Sequence, residues 1–278
     1  MIKLNLGRNC LKIIIRTYGI KEIFIPYYSC KTIWQSVREE NCKIRFYHID
    51  ENFMPADEFR QNDFILYINY FGLFENNVKK LCQKYKNIIL DNTQSFYSQH
   101  QGIASFNSLR KFFPVQNGAY LFGIDKITEK FQDDELKLEY ADINSNYEQF
   151  KKNELILNNE KIKNISKFSE AIMHNIDFEN DKKQRIFIYK KYAEIFDEYN
   201  ILKLPVLDNQ IPFCYPFCTN NNEICNFFDE NNITILRLWN DMPSNFKEYK
   251  TLHNVGALPL DNINLANKII ELGKSSRG

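Results

Sequence analysis

The first 91 residues alternate between short apolar runs and stretches with helical periodicity, and this alternation constrains the fold more than any other feature. The apolar runs predict strands over residues 22–28, 43–49, 63–71 and 87–90. Apolar residues at helical spacing predict helices over residues 6–18, 32–40 and 75–86. Because the connections are long enough for crossovers, we expect an α/β fold with a mostly parallel sheet and helices on both faces.

The second half of the chain has a different pattern. Residues 125–165 are rich in charged residues and asparagine, which predicts exposed helices and a linker. Residues 166–198 read as helical, with Phe168, Ile172 and Ile176 on an apolar face. Short strands over 213–217 and 233–238 and a helix over 221–230 follow. We therefore predict a large domain at residues 1–165 and a small C-terminal α+β domain at residues 166–278.

Charge and hydropathy exclude several classes of function. Lys and Arg total 36 against 35 Asp and Glu, for a net charge of +1. A nucleic-acid binder needs a basic excess or a basic stripe, so we expect no nucleic-acid partner. No run reaches the roughly 18 apolar residues of a membrane helix, and the N-terminal residues show no signal-peptide pattern. These observations predict a cytoplasmic protein without a membrane partner.

The cysteines and histidines do not indicate a metal site. The seven cysteines have no repeated spacing, which argues against a disulfide framework. The tightest group, Cys214, Cys218 and Cys225, contains no Cys-x-x-Cys pair and has no histidine nearby. The four histidines form no pair at metal-ligand spacing. We therefore expect no bound metal.

Four segments fall near the ends of predicted strands or at the start of the first helix. Ligands of parallel α/β sheets bind beyond the carboxyl ends of the strands, so these segments are the first candidates for chemistry. Taken singly, each has a structural explanation: an N-cap, aromatic packing, an Asx turn, or a loop with a hairpin turn at Asn117-Gly118. The four segments are Gly7-Arg8-Asn9, Tyr27-Tyr28-Ser29-Cys30, Asp91-Asn92-Thr93-Gln94 and residues 105–118.

Together these segments resemble the DegT/DnrJ/EryC1/StrS family of aminotransferases, most strongly from Asn5 to Phe122. The family's Gly-Arg or Gly-Thr helix start corresponds to Gly7-Arg8, and its Asp-x-x-Gln motif corresponds to Asp91 and Gln94. The serine-bearing stretch that leads to the family's Schiff-base lysine corresponds to Ser105 through Lys111. The resemblance implies the aspartate-aminotransferase fold, known as fold type I, and pyridoxal 5'-phosphate as the cofactor.

The resemblance also implies a role for each matched residue. Lys111 would carry the cofactor and move protons, Asp91 would keep the ring nitrogen protonated, and Gln94 would bond the ring hydroxyl or lie against the ring. The remaining cofactor-binding candidates are the phosphate-binding residues Gly7, Arg8 and Asn9, with Ser105 or Ser108, and Cys30 at the ring-stacking position. Among lysines, Lys111 is also favoured by its flanking Phe112 and Phe113, which would desolvate the amine.

The resemblance further implies the reaction and the assembly. Glutamate is the expected amino donor, and the acceptor is a keto group on a nucleotide-linked sugar or a similar small metabolite. Such enzymes often serve polysaccharide biosynthesis and form homodimers with the active site between the two chains.

Three other interpretations remain open. Ser108 and Lys111 fit the Ser-x-x-Lys motif of penicillin-interactive hydrolases, but the companion motifs are missing. Asp50-Glu51-Asn52 after a predicted strand would suit the metal of a nucleotide-sugar transferase. The chain is also short for the aminotransferase family, and Asn117 stands where the family has Glu. The protein could therefore be a degenerate family member that lacks transaminase activity and serves as a binding or assembly partner.

Overall fold

The N-terminal part of the chain folds into a seven-stranded sheet. A computed structural model describes residues 1–139, 147–221, 226, 228, 230, 231, 233 and 235–275. The strands of the large sheet occur in the order β1-β7-β6-β5-β4-β2-β3. Their bounds are β1 (Ile2–Leu4), β2 (Glu22–Pro26), β3 (Lys43–Tyr47), β4 (Phe64–Ile68), β5 (Asn87–Asp91), β6 (Ala104–Phe106) and β7 (Ala119–Phe122).

Strand direction in this sheet confirms the predicted mostly parallel α/β architecture. Strands β3, β2, β4, β5 and β6 pair in parallel, and β7 runs antiparallel to both of its neighbours, β6 and β1. The carboxyl ends of β2, β4, β5 and β6 therefore meet at one edge. Strands β1, β6 and β7 have only three or four residues each, too few to give a clear sequence pattern.

The helices of the large sheet confirm the predicted positions to within two residues. They are α1 (Gly7–Tyr18), α2 (Lys31–Glu39) and α3 (Glu75–Lys84). In α1 the predicted face of Leu11, Ile14 and Ile15 is buried. Gly19 ends the helix in the left-handed conformation, with φ 60°, and its N–H donates to the carbonyl of Arg16.

The predicted strand over residues 63–71 is too long. β4 ends at Ile68, and Tyr70–Gly72 form a turn of 3-10 helix in which Phe71 has a positive φ of 58°. Apolar character continues through this turn because it is buried beneath the second sheet: the carbonyl of Phe71 accepts the N–H of Phe213 at 2.8 Å. The predicted end of this strand was wrong because an apolar run indicates burial and does not distinguish a strand from a buried turn.

A smaller antiparallel sheet follows, in the order β8-β10-β9. Predicted strand 213–217 is confirmed. Within predicted strand 233–238, the described residues include a two-residue strand, and residue 234 lies outside them. The predicted helix over 221–230 lies largely outside the described residues. The remaining elements are α4 (Tyr147–Asn158), α5 (Lys167–His174), α6 (Phe178–Phe196), β8 (Cys214–Phe217), β9 (Leu236–Arg237), α7 (Tyr249–Leu252), β10 (Gly256–Pro259) and α8 (Ile263–Ser275).

The predicted helical stretch 166–198 divides into α5 and α6. Ser166 caps α5 by accepting the N–H of Ser169, and Asp177 caps α6 by accepting the N–H of Asn180. Phe168, predicted on the apolar face, is instead 59% exposed. In the sequence, all strands of the large sheet come before residue 165 and all strands of the small sheet come after it. The domain boundary at this residue stays a prediction.

Candidate active site

A cavity of about 980 Å³ lies at the carboxyl end of the large sheet and extends to the small sheet. Asp91 at the end of β5, Phe106 at the end of β6 and Cys30 after β2 contribute to its wall. From the second half of the chain, Phe213 and Trp239 complete the opposite side. The cavity therefore occupies the position at which parallel α/β sheets bind ligands.

Asp91 and Lys111 lie in this same cavity and are joined through Thr93. The Lys111 Nζ donates to Thr93 Oγ1 at 3.1 Å, and the backbone N–H of Thr93 donates to Asp91 Oδ1 at 2.8 Å. Asp91 is 3% exposed, and Lys111 is half-buried at the end of a 3-10 turn over Leu109–Lys111. The fold thus brings together a buried carboxylate and an amine that are 20 positions apart in sequence.

The electrostatic environment of Asp91 favours a cationic partner. Burial raises the pKa of Asp91, while the Lys111 charge and hydrogen bonds from Thr93 oppose that rise. Burial remains the largest effect because a carboxylate loses its hydration in the interior. A protonated ring nitrogen placed against Asp91 would supply the missing countercharge.

The N-terminus of α1 forms another part of the wall. Asn9 and Cys10 donate their N–H groups to the Leu6 carbonyl, so the preceding N–H groups of Gly7 and Arg8 have no intrahelical acceptor. A Cβ at position 7 would lie 3.1 Å from the carbonyl oxygen of Asn107, which leaves room there only for glycine without movement. This close-packed helix start, with N–H groups at the cavity, suits an anion.

Two arginines accompany this helix start. Arg8 lines the cavity, and its Nη1 donates to Asn158 Oδ1 at 2.6 Å; burial lowers its pKa. Arg110 also lines the cavity and pairs with Glu154 of α4. Ser108 and Cys30 stand on the same wall. The donor set at this end consists of a helix N-terminus, guanidinium groups and a hydroxyl, which matches the requirements of a phosphate.

Three predicted site residues are placed behind the cavity rather than in its wall. Asn9 donates to Asn5 and to the carbonyl of Lys161, and Ser105 bonds the ring of His100. Gln94 is completely buried, and its Oε1 accepts the N–H of Phe71 at 2.9 Å. Its Nε2 has no partner among the described residues, so one buried donor remains unpaired. Cofactor contacts by these three residues remain predictions.

Thr93 and Arg185 help to hold the site together, and neither was predicted from the sequence to do so. Arg185 is fully buried on α6 and donates to the carbonyls of Phe112 and Phe213 at 3.0 and 3.1 Å, and to Asp181 at 2.9 Å. It thereby ties the segment after Lys111 to the second half of the chain. A charged residue within the apolar stripe of a helix, with an acid one turn before it, was the signal for this role.

The residues on which two of the alternative interpretations rest have other hydrogen-bond partners. Lys111 donates to Thr93, and within the described part of the chain no hydrogen bond joins it to Ser108. Asp50 closes a tight turn, its Oδ1 accepting the N–H groups of Asn52 and Met54. Across the described residues, no group of three His, Cys, Asp or Glu side chains is arranged to hold a metal ion. In the same residues, no helix has the length and apolar character needed to cross a membrane.

Comparison with known proteins gives matches at the level of structure only. No family model and no curated protein matches the sequence. A DegT DnrJ EryC1 StrS aminotransferase from Brucella abortus superposes with a TM-score of 0.67 at 14% identity, covering 100% of this chain and 86% of that one. Helicobacter pylori PseC, an aminotransferase involved in the biosynthesis of pseudoaminic acid, superposes at 0.63 and 14% identity, covering 99% and 85%.

A third neighbour was solved with a cofactor. NtdA from Bacillus subtilis, with bound cofactor PMP, superposes with a TM-score of 0.63 at 13% identity, covering 99% of this chain and 72% of that one. At identities this low, the structural superposition establishes the fold alone. The coverage shows that the likeness extends over both sheets. The predicted resemblance is confirmed at that level: the chain has the fold of the DegT/DnrJ/EryC1/StrS aminotransferases.

Proposed function

We propose that this protein is a pyridoxal-phosphate-dependent aminotransferase. Its acceptor is a keto group on a nucleotide-linked sugar or similar small metabolite, and its expected amino donor is glutamate. The observation that carries the proposal is the meeting of Asp91 and Lys111 in one cavity beside the open N-terminus of α1. The acceptor class is supported by the structural likeness to aminotransferases such as PseC, which is involved in the biosynthesis of pseudoaminic acid. The donor is what the family resemblance implies.

The cavity fits each part of the cofactor with a different group. The buried carboxylate of Asp91 would hold the ring nitrogen, and the amine of Lys111 would attach the aldehyde carbon. The N–H groups of Gly7 and Arg8, with the Ser108 hydroxyl, would hold the phosphate. PMP, seen in NtdA, is the amine form of the same cofactor. When bound, the cofactor supplies an electron sink that acidifies the substrate Cα–H bond.

The protein's own residues would supply proton transfer and charge. Lys111 Nζ would take a proton from the substrate carbon and return it. Asp91 would hold the proton on the ring nitrogen, since a buried carboxylate beside that nitrogen favours its cationic form. The buried rings of Phe112 and Phe113 and the partly buried ring of Phe213 pack in one apolar cluster around the lysine segment. This apolar surface would limit the access of water.

Reductive labelling tests the assignment of Lys111. Borohydride reduction of the protein with pyridoxal phosphate, followed by peptide mapping, should place the label on Lys111, and Lys111→Ala should abolish it. Lys163→Ala is the control, because Lys163 pairs with Glu160 and Asp134 away from the cavity wall. Label on another lysine, or its absence in the wild-type protein, would contradict the proposal.

The labelling result and catalysis are separable. Full labelling of Lys111 without amino transfer from any donor would indicate a degenerate member of the fold, which binds the cofactor and serves as a binding or assembly partner. The cofactor assignment would then stand and the transaminase assignment would fail.

A further inference from the structure

We infer that Thr93 is a positioning residue that fixes the Lys111 amine before the cofactor is captured. This inference deepens the proposed function and rests on it. The hydroxyl of Thr93 accepts a hydrogen bond from Lys111 Nζ at 3.1 Å, and the Thr93 backbone belongs to the turn that follows β5. Thr93 therefore contacts both Lys111 and Asp91, the two residues proposed to hold the ends of the cofactor ring.

The hydrogen-bond directions at Thr93 are determined by its neighbours. The ammonium of Lys111 can only donate, so Oγ1 must accept from it. The backbone N–H of Thr93 in turn donates to Asp91 Oδ1 at 2.8 Å. Thr93 therefore connects the two groups, its hydroxyl accepting from the amine and its backbone N–H donating to the carboxylate.

The rotamer of Thr93 is fixed by packing. The Cγ2 methyl lies 3.2 Å from the position that a Cβ would take on Gly7, so the methyl is seated against the start of α1. A β-branched side chain has a restricted χ1, and fixing the methyl therefore fixes the hydroxyl. Gly7 thus contributes indirectly to the placement of the Lys111 amine.

A fixed amine should bind the cofactor aldehyde more tightly than a free one. Ordering a lysine side chain costs conformational entropy, and the hydrogen bond that Lys111 donates to Thr93 meets part of that cost before the cofactor binds. A ligand that cannot react with the amine gains nothing from this ordering. Pyridoxine 5'-phosphate, which carries an alcohol in place of the aldehyde, is such a ligand.

The test compares the two ligands in Thr93 variants by equilibrium binding. Thr93→Val keeps the branched shape but loses the hydroxyl, and should weaken the binding of pyridoxal phosphate by up to about tenfold, because the lysine side chain must then be ordered during binding. Its affinity for pyridoxine 5'-phosphate should fall by a much smaller factor. Thr93→Ser keeps the hydroxyl but loses the methyl that fixes it, and should restore part of the aldehyde binding. In the Lys111→Ala background, Thr93→Val should make no further difference to either ligand.

Two results would overturn the inference while leaving the proposed function in place. One is an equal loss of both ligands in Thr93→Val, which would mean that the hydroxyl serves the ring pocket and not the lysine. The other is wild-type affinity for the aldehyde in Thr93→Val. Failure of the unmodified protein to bind either ligand would instead overturn the proposed function and the inference together.

Discussion

At the residue scale, Asp91 links the chemistry of the site to the stability of the cofactor-free protein. Its pKa in the fold is raised by burial above the ordinary value of 3.8. The fold therefore favours the protonated carboxyl, and this contribution is present in acid and is lost as pH rises through the raised pKa. At neutral pH the buried carboxylate destabilises the cofactor-free protein.

Asp91→Asn should consequently stabilise the cofactor-free protein at neutral pH relative to wild type. The difference should shrink as pH falls towards and below 3.8, where both side chains are neutral. Denaturant unfolding of the two proteins across this pH range provides the measurement. Asp208→Asn is the matched control, because Asp208 is exposed. A less stable Asp91→Asn protein at neutral pH would contradict this account.

The same substitution should have the opposite effect on the cofactor. Removing the anionic partner of the ring nitrogen should cost about 1.5–3 kcal/mol of cofactor binding and reduce turnover severely. Titration of both proteins with pyridoxal phosphate checks the affinity. Unchanged affinity and turnover in Asp91→Asn would show that another group, or none, serves the ring.

The site residues differ in how far the sequence could predict them. Asp91 and Lys111 follow from strand ends and from a motif resemblance, and the fold places both in one cavity. Thr93 lies in the Asx turn expected at Asp91, but its hydrogen bond to Lys111 depends on where the fold brings a segment 18 positions away, which no local pattern encodes. Ser105 and Asn9 belong to the right segments but point to other partners, because side-chain direction is set by tertiary packing.

At the element scale, Arg185 of α6 holds the Lys111 segment against the second half of the chain. Its guanidinium stacks on Phe112, with 4.6 Å from Cζ to the ring centroid, while donating to two carbonyls and Asp181. Arg185→Met keeps most of the side-chain volume but removes the donor to both carbonyls, and leaves Asp181 with the Tyr97 hydroxyl as a hydrogen-bond donor. We expect the free energy of unfolding to fall by about 3–5 kcal/mol.

Chemical denaturation of Arg185→Met and of Lys191→Met measures this effect. Lys191 forms an exposed pair with Glu194 on the same helix, so its loss should cost less than about 1 kcal/mol. Similar losses of unfolding free energy in the two variants would contradict the role of Arg185 in holding the Lys111 segment.

Around the large sheet, the sequence predicted the longer elements and missed the short ones; in the second half it also missed the 13-residue helix α8. Helices α1 to α3 and strands β2 to β5 have enough apolar positions to define a period. β6 and β7 have three and four residues, and their place is set by pairing with strands already formed. The boundary error at Tyr70–Gly72 arose because a buried turn and a buried strand have the same apolar composition.

At the scale of the whole molecule, we predict a homodimer with the active site near the interface. Large apolar side chains on α4, α5 and α6 are about half or more exposed in the single chain, including Leu155 at 67%, Phe168 at 59% and Phe187 at 53%. Exposed apolar surface of this kind is typical of an interaction surface, and a two-fold dimer is the commonest closed assembly. Light scattering at several dilutions should give twice the mass of the chain. A monomer with bound cofactor and full transaminase activity would contradict this prediction.

The central claim is that this cavity transfers amino groups through Lys111, and half-transamination tests it most directly. The protein is saturated with pyridoxal phosphate, freed of excess cofactor and mixed with glutamate, and the absorbance of the bound cofactor is followed. We expect conversion to the pyridoxamine form with release of one 2-oxoglutarate per chain, and no catalysed conversion in Lys111→Ala. Unchanged absorbance with glutamate and with every other amino acid, in protein whose Lys111 carries the cofactor, would contradict the claim.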